Sequence, residues 1–97
     1  MAVEVIALER ASAARVASIL GELFEKAGGI DGAGCRCRFT SEPRSNRLVV
    51  RAPAAETRAA QKIARGLDAG DESLSVEKLR NLDALEARDL LNSLAGN

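Results

Sequence analysis

The sequence predicts an α+β fold in the order βαββα, followed by an additional βα unit. Three patterns carry that prediction. Residues 3–8, 35–40 and 47–52 alternate with the period of half-buried strands. Two intervening segments place apolar residues at helical spacing. The turn "SEPRSN" joins the second and third strands as a hairpin. At 97 residues and 46% hydrophobic content, the chain is the size of one compact domain with a small core.

The first strand, "VEVIAL", is rich in β-branched residues, which suit a pleated surface. Behind it, Ser12 has the chemistry of an N-cap, and Val16, Leu20, Leu23 and Phe24 form the stripe of a core-facing helix that Gly28 and Gly29 end. "GGIDGAG" leads into "CRCRFT", where Cys35, Cys37 and Phe39 alternate with Arg36, Arg38 and Thr40. That strand has one apolar and one basic face. Pro43 fixes φ in the turn, and the Ser45 and Asn46 side chains can bond their own backbone. "RLVVRA" then turns Leu48 and Val50 inward. Pro53 stands where a first-turn proline is tolerated, and Ala59, Ala60, Ile63, Ala64 and Leu67 line one side of a second helix ending near Gly66 to Asp68. After a polar break at residues 69–73, Leu74, Val76 and Leu79 predict a strand. A helix follows, with Asp83 and Glu86 at capping-box spacing and Leu90, Leu91 and Leu94 as its apolar stripe. The segments "VEVIALERASAARVASILGELF" and "SVEKLRNLDALEARDLLNSLAG" share this layout and read as a weak internal repeat whose second copy stops after its first helix.

Charge and composition narrow the functional classes. Lys+Arg and Asp+Glu both number 14, so no overall charge favours nucleic acid or an anionic membrane. The distribution is polar, however: residues 1–65 carry 11 basic and 7 acidic side chains, residues 66–97 carry 3 and 7. Such a chain is suited to head-to-tail association. Histidine is absent, which removes the usual base and metal ligand near neutral pH. With no nucleophile–base set, phosphate loop or paired carboxylates, the sequence predicts no enzyme, no catalytic residue and no cofactor. It contains no apolar run long enough to span a bilayer, and the start carries no basic leader or small-residue cleavage site, so the expectation is a chain without its own signal peptide.

Three features could carry function. Cys35 and Cys37 lack the further ligands that zinc needs, so no metal is expected; at i and i+2 on one face of a strand a bridge between them would distort the ladder, so they read as two small buried hydrophobes, with intermolecular oxidation as the alternative. Gly29-Ile30-Asp31-Gly32 matches the GXXG loop of KH domains, but Asp31 would repel a phosphate and a strand, not a helix, is expected next. The hairpin gathers Arg36, Arg38, Arg47 and Arg51 on its outer face, with Arg44 in the turn. Guanidinium groups take phosphates or carboxylates in bidentate fashion. No aromatic residue interleaves them, as base stacking on a sheet requires, which favours a protein partner over nucleic acid; the alternative is a solvated arginine face.

At "VEVIALERASAARVASILGELF" and "TSEPRSNRLVVRAPAAETRAAQKIARGLD" the chain resembles the repeated periplasmic N domain of secretins, the outer-membrane channel subunits of type II secretion and of related type III and type IV pilus systems. Leu8, Ala11, Ala13, Glu42, Pro43, Arg44, Ser45, Asn46, Leu48, Val50, Leu67 and Asp68 fit the pattern, which covers residues 3–68. Glu42 departs from it where Asp is commoner, and the paired cysteines are unusual in an exported protein that does not bridge them.

The resemblance implies a KH-like domain over residues 1–68, two helices on one face of a three-stranded sheet, then a linker at 69–73. Residues 74–97 would be the start of a following N-type domain or an appended βα unit. It also implies a non-enzymatic, ring-forming periplasmic domain in the vestibule of an outer-membrane channel that exports folded proteins. The implied partners are other copies of the subunit, with other secretion-system components or the exported protein beside them, and membrane contact comes only through parts outside this chain. Arg36, Arg38, Arg44, Arg47 and Arg51 would form the subunit or partner interface, and Pro43, Ser45 and Asn46 the turn that sets strand register. Two alternatives differ in class: a KH-like binder of single-stranded nucleic acid, and a ring-building scaffold of another export apparatus.

Overall fold

The computed structural model describes residues 2–28, 37–70 and 76–95. Three antiparallel strands, β1 (Ala2–Ala7), β2 (Arg38–Glu42) and β3 (Arg47–Ala52), form one sheet in the order β1-β3-β2. Helix α1 (Ala13–Ala27) lies between β1 and β2 in sequence and helix α2 (Ala54–Ala69) follows β3, and both pack on one face of the sheet. Helices α3 (Val76–Asn81) and α4 (Ala84–Ala95) form a further layer on α1 and α2.

The core follows from the two periodicities. Ile6, Leu48, Val50 and Ala52 point from the strands into the space filled by Val16, Leu20, Leu23 and Phe24 of α1 and by Ala59, Ala60, Ile63 and Ala64 of α2, all buried. Small residues on α2 let that helix approach closely, while α1 supplies the bulk. Leu67 is half-buried at the margin. Phe39, from β2, meets Phe24 at 5.1 Å between ring centroids with the rings tilted by 50°, a favoured aromatic arrangement.

The helix ends are closed by identifiable groups. Ser12 caps α1, accepting from the Arg15 amide, and Gly28 ends it at φ 70°, where a side chain would be strained. Asp83 and Glu86 form the expected reciprocal box: the Glu86 amide donates to Asp83 Oδ1 at 2.8 Å, and the Asp83 amide to Glu86 Oε1 at 3.3 Å. Three cations meet carbonyls at helix C-termini, where the helix dipole favours them. Lys26 Nζ donates to the carbonyls of Arg80 and Leu82, Lys62 Nζ to that of Leu94, and Arg88 Nε to that of Ala27.

Two expectations are corrected. The strand expected over Leu74, Val76 and Leu79 is a helix where it is described, at Val76–Asn81; Leu74 lies outside the described residues. "VEKLRN" is rich in helix formers, with Glu77 in the first turn and Lys78 and Arg80 in the last, as the dipole prefers. Leu79 is buried as a helical residue. The similarity between the two halves therefore holds for the capped helices α1 and α4 but not for the elements before them. The second correction concerns Cys37, which is disulfide-bonded rather than a reduced hydrophobe. The strand β2 begins at Arg38, after this residue, so Cys37 is not held in the ladder geometry that argued against a bridge. It is half-buried against the core; Cys35 lies outside the described residues.

The stripe on α4 is also redistributed. Ala87, Leu91 and Ala95 are buried, one turn apart, while Leu90 and Leu94 are half-buried on its flank. Leu79, Ala87, Leu91 and Ala95 belong to the same buried cluster as the sheet and α1–α2 residues.

Candidate interaction surface

The face of the sheet turned away from the helices is uncovered by any described element. Because Leu48, Val50 and Ala52 point inward, Arg47, Val49 and Arg51 point outward. Strand register places Arg38 opposite Arg51 and Val3 on its other side; the next outward row is Thr40, Val49 and Val5, and the third is Glu42, Arg47 and Ala7. Val3 and Val5 are 58% and 53% exposed, beside the arginines.

Arg38 and Arg51 stand directly across from each other, a like-charge arrangement that disfavours the strand pair. Among the described residues, neither forms a salt bridge; the ion pair present is Arg80 with Glu22 at 3.6 Å, on the helical side. Arg47 differs, since the register sets it opposite Glu42. Arg44 is exposed in the turn, where its amide donates to Glu42 Oε1 at 3.2 Å. Arg36 and the Gly29–Gly32 loop lie outside the described residues. Phe39 is on the inner face, so the outer one has no aromatic ring among the described residues.

A second constellation holds the corner between β1 and α1, and Asn46 is its hub. At φ 53° this residue adopts the left-handed conformation that asparagine tolerates better than most. Its Oδ1 accepts from the Ala13 amide at 2.8 Å, and its Nδ2 donates to the carbonyls of Leu8 and Ala11 at 3.0 and 2.8 Å. Its own carbonyl accepts from the Leu8 amide at 3.1 Å. From the far end of α2, Asp68 completes the corner: its carboxylate accepts from the amides of Glu9, Arg10 and Ala11, at 3.0, 2.6 and 2.8 Å to Oδ1. The Asn46 and Asp68 side chains thus satisfy a loop that lacks a ladder of its own.

Hydrogen bonds from Ala11 and Arg10 to the charged carboxylate hold the Asp68 pKa below its ordinary value, against a smaller opposing desolvation. The folded state binds the ionised form better, so this contribution is fully present above the ordinary aspartate range and is lost as pH falls through the depressed folded-state value. Wild-type urea midpoints are expected to decline below about pH 4. In Asp68→Asn the midpoint at neutral pH should be lower, and the gap to wild type should narrow on acidification. A constant gap across that range would show that the carboxylate charge is not what holds the corner.

A depression of about 560 Å³ between α1 and β2 is lined by Phe24, Glu25, Phe39 and Cys37, whose sulfur is in a disulfide. Among the described residues, no three His, Cys, Asp or Glu side chains gather as a metal site, and no helix is long and apolar enough to cross a membrane.

A three-stranded sheet with two helices on one face, one bare arginine-bearing face and a polar-locked corner defines a small α+β domain whose open sheet face is its most prominent exposed surface. Residues 3–73 match the bacterial type II/III secretion system short domain, the secretin N family, and the chain belongs to that family. It is a secretin domain of a secretion system, a structural part of such machinery. No curated protein and no solved structure matches the chain. Helices α3 and α4 both lie beyond the family match.

Sequence reasoning missed the exposed valines and the part played by Asp68. The signal for Val3 and Val5 was present in parity, since both alternate with Ile6 and Leu8, the residues that are buried. Asp68 follows a helical stripe and reads there as an ordinary polar terminus; its partners are nearly sixty residues away.

Proposed function

We propose that this domain is a ring-forming periplasmic unit of an outer-membrane secretin of the type II class. In that reading, copies of the domain line the vestibule through which folded proteins leave, and the sheet face is where a neighbouring subunit docks. The opposed Arg38 and Arg51 carry the reading: a cross-strand pair of like charges costs stability in an isolated domain and is relieved by carboxylates from outside. Exposed Val3 and Val5 supply apolar area beside them, as the centre of a protein interface does. The bare face lacks the aromatics on which a nucleic-acid platform stacks bases, so a protein partner fits better. The disulfide at Cys37 accords with an oxidising compartment such as the periplasm.

The test replaces both opposed arginines, Arg38→Glu with Arg51→Glu, in the secretion-system subunit that carries this domain. One like-charged pair is exchanged for another, so the thermal midpoint of the 97-residue chain should be unchanged. Dissociation-resistant multimers in the outer-membrane fraction should fall to background. Wild-type multimer yield in the double variant would dispose of the arginine face as a subunit contact.

A further inference from the structure

The arginine-bearing sheet face and the outer face of α4 lie on opposite sides of the molecule, because both layers sandwich α1 and α2. Helix α4 buries Ala87, Leu91 and Ala95, which turns Leu85 and Asp89 outward, one turn apart. Leu85 is 66% exposed, an apolar side chain on a polar helix surface. Asp83, Glu86 and Asp89 are all exposed nearby. The single basic residue of α4, Arg88, is half-buried and directs its Nε to the Ala27 carbonyl at 3.2 Å. The outward surface of α4 is therefore acidic around one leucine, and the sheet face is basic around two valines.

We propose that the outer face of α4 docks on the bare sheet face of a second copy of this chain, Leu85 against Val3 and Val5 and Asp89 against Arg51 and Arg38. The spacing suits the pairing. Residues one helical turn apart are separated by about 6 Å along the axis, and successive outward rows of a strand by about 7 Å. A leucine set over the row of Val5 brings the aspartate over the row of Arg51. Asp89 is the charge that matters most, since Asp83 and Glu86 are engaged with each other's amides at the helix start. The contact joins two different faces, so it is heterologous: it closes a ring when each copy is rotated relative to the last, and extends a filament when it is not. The proposal rests on the arginine face being a subunit contact and adds which surface meets it.

The 97-residue chain, with its disulfide formed, is examined by sedimentation equilibrium up to millimolar concentration at low salt. Wild type should self-associate, and more weakly as salt is raised. Arg51→Glu and Asp89→Arg should each weaken association by about tenfold or more, and the two together in one chain should recover most of it, because the charges are exchanged across the contact. Strict monomers at millimolar concentration would overturn the proposal, as would a double variant no stronger than either single one. If Arg51→Glu weakens association and Asp89→Arg does not, the α4 contact is wrong while the arginine face stands. If neither has an effect, both are wrong.

Discussion

Asn46→Ala is expected to cost roughly 3–5 kcal/mol, a large part of the 5–15 kcal/mol that holds a typical domain together. Three side-chain hydrogen bonds are lost, to the Leu8 and Ala11 carbonyls and the Ala13 amide, and these groups are left in a partly buried corner. Alanine must also adopt φ 53°, which costs a residue with a Cβ roughly 1–2 kcal/mol. Two companion variants separate the causes. Asn46→Gly keeps the backbone conformation and should be the milder by about that conformational increment. Asn46→Asp keeps an acceptor for the Ala13 amide but sets a second oxygen against two carbonyls, so it should be at least as damaging as alanine at neutral pH. Urea midpoints with an unchanged m-value are the measurement. Equal midpoints for the alanine and glycine variants would remove backbone strain from the account.

Leu91→Ala should lower stability by about 2–5 kcal/mol, the usual range for a leucine removed from a packed core. Leu91 is fully buried, and it belongs to one cluster with Ile63, Phe24 and Leu48. Although residues beyond 73 lie outside the family match, α3 and α4 seal α1 and α2, and we propose that they are an appended unit that shares this core rather than an independent one. Unfolding of the variant, like that of wild type, should be a single transition at the same midpoint by circular dichroism and by Phe24 or Phe39 side-chain NMR signals. A second, earlier transition confined to residues 76–95 would mean that α3 and α4 melt alone and that a true boundary lies at residues 69–73.

Much of the fold was legible because its elements follow single periods. The stripes Val16–Leu20–Leu23–Phe24 and Ala59–Ala60–Ile63–Ala64 are buried as their spacing implies, and the Asp83–Glu86 box forms. "VEKLRN" misled because a few apolar residues at spacings of two and three satisfy both templates, and what decides is the packing of Leu79 on α1, which one sequence does not display. The cysteines misled for a related reason: the alternation in "CRCRFT" starts ahead of the point where β2 begins, at Arg38. The arginines of the hairpin were legible as a face, but not their pairing. Only the register shows that Arg47 sits opposite Glu42 while Arg38 and Arg51 confront each other. The corner residues were visible in the family pattern as letters, Asn46 and Asp68, without their reach to residues 8–13.

That reach sets an order of events along the chain. The strand β1 is made first, yet its ladder partner is β3, and its following turn is fastened by side chains 33 and 59 residues downstream. Closing such long loops is entropically expensive, whereas the β2–β3 hairpin and the helices need only near neighbours. The N-terminal strand therefore waits for the hairpin and for the end of α2, and the corner at Asn46 and Asp68 acts as a latch thrown late. Substitutions in a late-forming latch act mainly on the rate of opening: the domain should fold nearly as fast without it and unravel sooner.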